Sequence, residues 1–269
     1  MAWFDVGVNL MDKRLSIEAV LERANLANVE QLLITGTSVE ESSNAATLAQ
    51  QHPGRLYCTA GIHPHQAKDA SPAYLDELRT LAALPQVLAI GECGLDFNRN
   101  FSPPEQQLAV FEQQLILAAE LQKPLFLHER DAFTAQVKLL EKHHASLAGG
   151  VAHCFTGNRQ QMQAYLDLGF YIGITGWVCD QKRGQALRDT VRDLPLDRLL
   201  LETDAPYLKP KTLSPAERKL SSNNEPCYLP HIAAQLATLM NVQCAELQQH
   251  SYRNACQLFG LDNSKHHAN

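Results

Sequence analysis

The sequence contains no run approaching the roughly 18 consecutive apolar residues that a membrane-spanning helix requires. Its start, Met1-Ala2-Trp3-Phe4-Asp5, lacks the basic stretch and apolar core of a secretory leader. A soluble, cytoplasmic protein without a membrane partner is the expectation. No C-x-x-C pair occurs among the seven cysteines, Cys58, Cys93, Cys154, Cys179, Cys227, Cys244 and Cys256. That removes the usual zinc-knuckle signal, and the odd number argues against a disulfide framework, so reduced thiols are expected. Positive charge is scarce as well: 23 Lys and Arg face 29 Asp and Glu, a net charge of -6 over 269 residues. Domains that coat nucleic acid by bulk attraction carry the opposite balance, which leaves room only for local basic patches. No G-x-G-x-x-G follows the first apolar run, so the common signal of a dinucleotide crevice is missing too.

What is present is a globular composition, 45% hydrophobic and 19% charged, sufficient to bury a core. Short runs rich in β-formers, at 3–9, 31–35, 56–62, 87–92, 125–128, 150–153, 171–174 and 199–202, alternate with helical periods at 16–27, 40–51, 72–84, 104–121, 132–144, 159–168 and 184–194. Ser16, Ser71 and Ser102 precede three of these helices as capping signals, the last followed by Pro103, Pro104 and Glu105. Eight strand–helix units with no linker between halves predict an α/β protein with a single (β/α)8 TIM barrel domain over 1–269. An open doubly wound sheet is the runner-up. The stretch 206–226 is the one long irregular segment, and two closing helices follow it, at about 229–240 and 245–259.

Chemistry gathers at strand ends. Apolar runs lead into Glu92, into His128, into His153, and into Glu202 and Asp204. A parallel barrel collects the C-terminal ends of its strands into one ring, so these residues, remote in sequence, are expected to converge. Imidazoles and carboxylates held together out of water are costly unless a cation pairs them. The mixed nitrogen and oxygen set suits a hard or borderline ion, Mg²⁺, Mn²⁺ or Zn²⁺. Cys93 and Cys154 each follow a proposed ligand, and alternation along a strand turns them to the other face, as packing residues. His63-Pro64-His65 ends the third strand, where two imidazoles can reach a phosphate or protonate a leaving group. His143-His144 and His266-His267 read as a helix end and a tail, without a catalytic role.

The words Gly61-Ile62-His63-Pro64-His65, Gly91-Glu92-Cys93-Gly94-Leu95-Asp96, Leu127-His128, His153-Cys154-Phe155-Thr156-Gly157 and Glu202-Thr203-Asp204-Ala205-Pro206-Tyr207 span most of the chain. In this order they resemble the TatD family of metal-dependent deoxyribonucleases, metallo-dependent hydrolases within the amidohydrolase-like barrels. Asn223-Asn224-Glu225-Pro226 resembles the family's segment before its final helices. One departure stands out: most members carry Asp-x-His-x-His on the first strand, whereas Asp5-Val6-Gly7-Val8-Asn9 has Gly7 and Asn9 at the histidine positions. With those two nitrogen ligands missing, one ion rather than a tight zinc pair is expected, and Mg²⁺ is favoured.

The resemblance implies a 3′ to 5′ exonuclease that prefers single-stranded DNA and also acts on RNA. It implies a metal held by Glu92, His128, His153 and Asp204, with Asp204 also orienting the attacking water or taking its proton. His63 or His65 would then hold the scissile phosphate or assist the departing 3′ oxygen. No obligate protein partner is evident, and a monomer is expected. Lys209, Lys211, Arg218 and Lys219 in the irregular stretch, and Arg99, Arg130 and Arg159 after strands, are candidates for phosphate contact. Phe97, Phe155, Trp177 and Tyr207 lie just past strands, where they can stack on bases or pack. The alternative reading is a barrel metallohydrolase acting on an ester such as aminoacyl-tRNA or on a small amide. A scaffold with the same fold and no chemistry is disfavoured by the ionisable strand ends.

Overall fold

Runs of Val, Ile and Leu without polar alternation favour strands covered on both faces, which is the environment of a parallel sheet. The computed structural model of the protein describes residues 2–261, so His266 and His267 lie outside the described residues. Its strands are β1 (Trp3–Val8), β2 (Val29–Ile34), β3 (Leu56–Ala60), β4 (Val87–Asp96), β5 (Leu125–Arg130), β6 (Gly150–Ala152), β7 (Tyr171–Ile174) and β8 (Leu199–Leu201). They form one eight-stranded sheet in the order of the sequence, and a parallel bridge between Val8 and Ala205 joins the chain beyond β8 back to β1. The fold is the (β/α)8 barrel expected from the alternation. Its helices are α1 (Ile17–Leu26), α2 (Val39–Gln51), α3 (Tyr74–Ala82), α4 (Pro104–Leu121), α5 (Phe133–His143), α6 (Arg159–Asp167), α7 (Gln185–Thr190), α8 (Pro215–Arg218), α9 (Leu229–Met240) and α10 (Cys244–Phe259). No helix among the described residues is long and apolar enough to cross a membrane.

The chain divides into two units. The first takes in residues up to Leu33, Cys154–Gln163 and Ile172 onward; the second takes in Ile34–His153 and Ala164–Tyr171. In the second unit β3, β4, β5 and β6 pair in parallel, and every residue of β4 is buried. Two strands there run past their expected ends: β4 continues beyond Glu92 to Asp96 and β5 beyond His128 to Arg130, paired to each other over that whole extension. The pairing itself keeps these polar residues extended, since each strand supplies the other's backbone partners.

Two expected caps are corrected. α4 starts after Pro103, and Ser102 instead uses its hydroxyl to accept the Lys68 N–H (3.0 Å) and donate to the His65 carbonyl (2.9 Å). α3 starts two residues later than Ser71 predicts, after Ala73, and the Ser71 hydroxyl donates to Glu77 (3.1 Å). Ser16 does occupy the residue before α1, without a side-chain capping bond. Within the irregular stretch the structure adds α8, closed by a reciprocal capping box between Ser214 and Glu217.

Candidate active site

The second unit holds a cluster of acids and imidazoles at the ends of β3, β4, β5 and β6. Gly91 has φ +147°, and a side chain there would put its Cβ 2.3 Å from the Phe126 carbonyl oxygen, so only glycine fits. The register with β5 shifts between Gly91 and Cys93, and the Glu92 N–H turns to the Gly36 carbonyl (2.7 Å). This irregularity aims the buried Glu92 carboxylate at its imidazole neighbours. His63 follows β3, and the strand end before it is clamped by Gln114 of α4, whose amide accepts the Ile62 N–H (2.8 Å) and donates to the Ile62 carbonyl (3.0 Å). Gln107 holds the end of β4 in the same way, accepting from the Asp96 N–H (2.8 Å) and donating to the Asp96 carbonyl (3.0 Å).

Within this frame Glu92 Oε1 lies 2.8 Å from His128 Nδ1, 3.5 Å from His63 Nε2 and 3.9 Å from His153 Nε2. Next to them Asp96 Oδ2 is 2.6 Å from His65 Nε2, while Asp96 Oδ1 accepts the N–H groups of Asn98 (3.0 Å) and Arg99 (2.9 Å). The rings of His63 and His65 meet edge to face at 4.3 Å, and those of His63 and His128 at 4.4 Å. The structure thus brings Glu92, His128, His153, His63 and His65 of the sequence reading together. It adds Asp96, the last residue of the Gly91–Asp96 word. The signal was present: Asp96 stands four residues after Glu92 on a strand that carries both.

Burial and charge set the ionisation of this cluster. Burial works against an ionised Glu92, but His63, His128 and His153 outweigh it and hold the carboxyl below the usual range. Burial likewise opposes an ionised Asp96, and the neighbouring His128 imidazole, with bonds from the Arg99 N–H and His65, brings it below the usual range. Burial pushes His63 down to about 3, so this imidazole is neutral at physiological pH. His128 is also buried, yet Asp96 and Glu92 carry it up to about 9.

The hydrogen-bond network assigns the hydrogens. His63 Nδ1 accepts the His65 N–H (3.0 Å), so neutral His63 carries its hydrogen on Nε2 and acts there as a donor. His128 donates from Nδ1 to Glu92. Its Nε2 is buried with no hydrogen-bond partner, and the nearest acceptor, Asp96 Oδ2, is 3.6 Å away. Such an orphan is expensive in a protein interior unless something occupies it. Single ligand atoms of His63, Glu92 and His128 all lie within 4.8 Å of one another, a span that one divalent ion can bridge. The donor set and the orphaned nitrogen therefore fit a divalent metal.

In the first unit Asp204 sits in a left-handed conformation (φ +55°), its N–H donating to the Gly7 carbonyl (2.8 Å). Asn9, at the position where a histidine was missed, donates from Nδ2 to Asp204 Oδ1 (2.9 Å) and to the Ala205 carbonyl (3.3 Å). The substituted residue therefore orients a carboxylate. Glu202, one of the acids at a strand end, accepts the Cys154 N–H (2.6 Å) and so shapes the turn after β6. Cys93 is fully buried, its thiol pushed up by burial, in keeping with packing. Phe155 is buried as well. Among the basic candidates, Lys209 donates to the carbonyls of Arg218 and Ser221, Arg218 donates to those of Leu213 and Lys211, and Arg159 pairs with Asp193. Lys209 and Arg218 thus serve their own loop, and Arg159 ties α6 to the segment after α7.

Comparison with known proteins places the chain in a family. The family model described as TatD related DNase matches residues 4–260. The chain is 49% identical over 261 residues to the "3′-5′ ssDNA/RNA exonuclease TatD" of Klebsiella pneumoniae strain 342, covering 96% of this chain and 98% of that protein. It is 51% identical over 236 residues to the protein of the same name from Salmonella typhimurium, covering 87% and 90%. Among solved structures it is similar to the TatD homologue YjjV of Escherichia coli K12, with a TM-score of 0.87, 29% identity and coverage of 97% and 98%. A TatD family hydrolase from Entamoeba histolytica gives a TM-score of 0.84 at 26% identity, covering 96% and 98%.

Proposed function

The chain belongs to the TatD-related DNase family, and from that premise we propose that it is a 3′ to 5′ exonuclease that hydrolyses single-stranded DNA and RNA with a divalent metal, Mg²⁺ before Mn²⁺ or Zn²⁺. Glu92, His128, His153 and Asp204 hold the ion in this reading. When bound, the metal polarises a phosphoryl oxygen and lowers the pKa of its water. The observation that carries the proposal is the buried Nε2 of His128, without a hydrogen-bond partner beside a Glu92 carboxylate held ionised.

The chain's own residues supply the rest. His63, neutral and with its hydrogen on Nε2, donates to a non-bridging oxygen of the scissile phosphate. Asp96 accepts from His65 Nε2 and so fixes that ring's orientation for contact with the substrate, and the departing 3′ oxygen takes its proton from solvent water. Asn9 orients the Asp204 carboxylate, which directs the attacking water and takes its proton. The test is trimming of a single-stranded oligonucleotide labelled so that 3′ shortening is visible, with EDTA, with added Mg²⁺, and with Glu92→Ala. Chelation and the substitution should each abolish shortening; an unchanged rate in both overturns the proposal.

A further inference from the structure

Two loops of the first unit repeat one construction. After β1, the Asp12 carboxylate accepts from the Arg14 N–H (2.9 Å), from Arg14 Nε (2.9 Å) and from a terminal guanidinium nitrogen (2.7 Å), and the guanidinium lies over the ring of Tyr207 at 4.5 Å from its centroid. After β7, Asp180 accepts from the Lys182 N–H (3.0 Å), the Arg183 N–H (3.1 Å) and Arg183 Nε (2.7 Å), and that guanidinium lies over the ring of Trp177 at 4.4 Å. In both, a carboxylate pins an arginine flat against an aromatic ring just past a barrel strand. Tyr207 is 48% exposed, and the side chains of Arg14 and Arg183 are 45% and 57% exposed. Packing alone does not ask for an arginine stacked on a ring at the surface, and the arrangement is built twice.

The two devices are neighbours. Gly176, beside Trp177, packs so closely on Leu208, beside Tyr207, that a Cβ would sit 2.2 Å from the Leu208 carbonyl oxygen. Lys211 crosses from the Tyr207 loop to Asp180 at 2.8 Å. The Arg14–Tyr207 device also adjoins the Asn9–Asp204 pair: the Tyr207 N–H donates to the Asp204 carbonyl (2.9 Å) and the Asp12 N–H to the Asn9 carbonyl (3.0 Å). The loops after barrel strands are where this fold places its active sites.

We propose that the Arg14–Tyr207 and Arg183–Trp177 pairs form a stacking track for unpaired bases of the substrate, next to the Asp204 carboxylate. The reading rests on the exonuclease proposal and deepens it. Aromatic rings and guanidinium planes both stack on bases whatever their identity, and Arg14, Lys182, Arg183 and Lys211 supply positive charge for the phosphates in an otherwise acidic chain. Stacking needs splayed bases, so a duplex is excluded. It ignores the 2′-hydroxyl, so DNA and RNA are both accepted.

Only two tryptophans are present, Trp177 and the buried Trp3, so emission reports on the track directly. Wild-type protein in EDTA is titrated with a short oligothymidylate and with an abasic deoxyribose-phosphate chain of equal length. The oligothymidylate should quench the emission and bind more tightly than the abasic chain by roughly tenfold or more. Tyr207→Leu should lower oligothymidylate affinity roughly fivefold or more and leave binding of the abasic chain unchanged, whereas Arg183→Ala, which removes a charge as well as a stacking plane, should weaken both chains and the oligothymidylate by the larger factor; a Tyr207→Leu protein that binds both chains as wild type does also overturns the track. Equal affinity for the two chains, binding without quenching, or no binding overturns the track, and the wild-type comparison needs no variant to fold. Failure of the exonuclease reading shows separately, as absence of Mg²⁺-dependent shortening of the same oligothymidylate.

Discussion

A carboxylate accepts hydrogen bonds and cannot donate them, so it dictates where the hydrogen sits on any imidazole it touches. Asp96 does this for His65 across 2.6 Å. In Asp96→Asn, the oxygen of the amide stays with the Asn98 and Arg99 N–H groups and the NH₂ faces His65, which must move its hydrogen to Nδ1 to accept. The trimming rate should fall by roughly 10- to 100-fold, the range typical for partners that orient site residues. The check is kcat alongside a thermal melt, and a change in melting without a change in kcat would make Asp96 purely structural. Asn9→Ala tests the parallel case, because it removes the amide bond to Asp204 Oδ1. A drop in kcat of roughly tenfold with the oligonucleotide KM retained is expected. Glu92, His128 and His153 were legible in the sequence because each closes an apolar run. Asp96 was not, because the apolar run ends at Glu92 and the strand was expected to end with it, whereas pairing with β5 carries β4 on to Asp96.

At the scale of the element, the strand ends that carry site residues are held by buried glutamines acting as backbone surrogates. Gln114 serves Ile62 just before His63, Gln107 serves Asp96, and Gln136 of α5 accepts the Leu95 N–H (3.0 Å) and donates to the Tyr165 hydroxyl (3.2 Å). Gln114→Leu would leave both polar groups of Ile62 buried and unpaired, at a cost of about 1–3 kcal/mol each. Urea denaturation should show a loss of that order, and the trimming rate should fall as His63 loosens; a variant as stable as wild type would show that the clamp is dispensable. Hydrophobic period located all eight strands, since their cores are continuous apolar runs. It stopped two of them short, since the polar tips of β4 and β5 are kept extended by each other. Nor could it find the clamps, which sit on helices as ordinary polar residues. Ser102 misled for a related reason: its hydroxyl is drawn to Lys68 and His65 by tertiary packing.

For the whole molecule, the decisive joint is where the chain beyond β8 meets β1. Asp5 is buried there, its carboxylate taking the Thr203 N–H (2.9 Å), the Thr203 hydroxyl (2.5 Å) and the Gly7 N–H (3.3 Å). Burial outweighs these bonds and raises Asp5 to about 7, with Glu202 adding a smaller push in the same direction. In the unfolded chain the same group titrates near 3.8. The folded state therefore binds more protons than the unfolded state between these values. Stability from this group is fully present below the unfolded value and is lost as pH rises through about 7. Asp5→Asn keeps the shape, accepts the same N–H groups and carries no charge to desolvate. Denaturant unfolding compared at pH 5 and pH 8 should show wild type losing more stability than the variant over that interval, with the variant more stable than wild type at pH 8. Parallel pH profiles for the two proteins would mean that the three donors to Asp5 compensate its burial, and that the joint is indifferent to this proton.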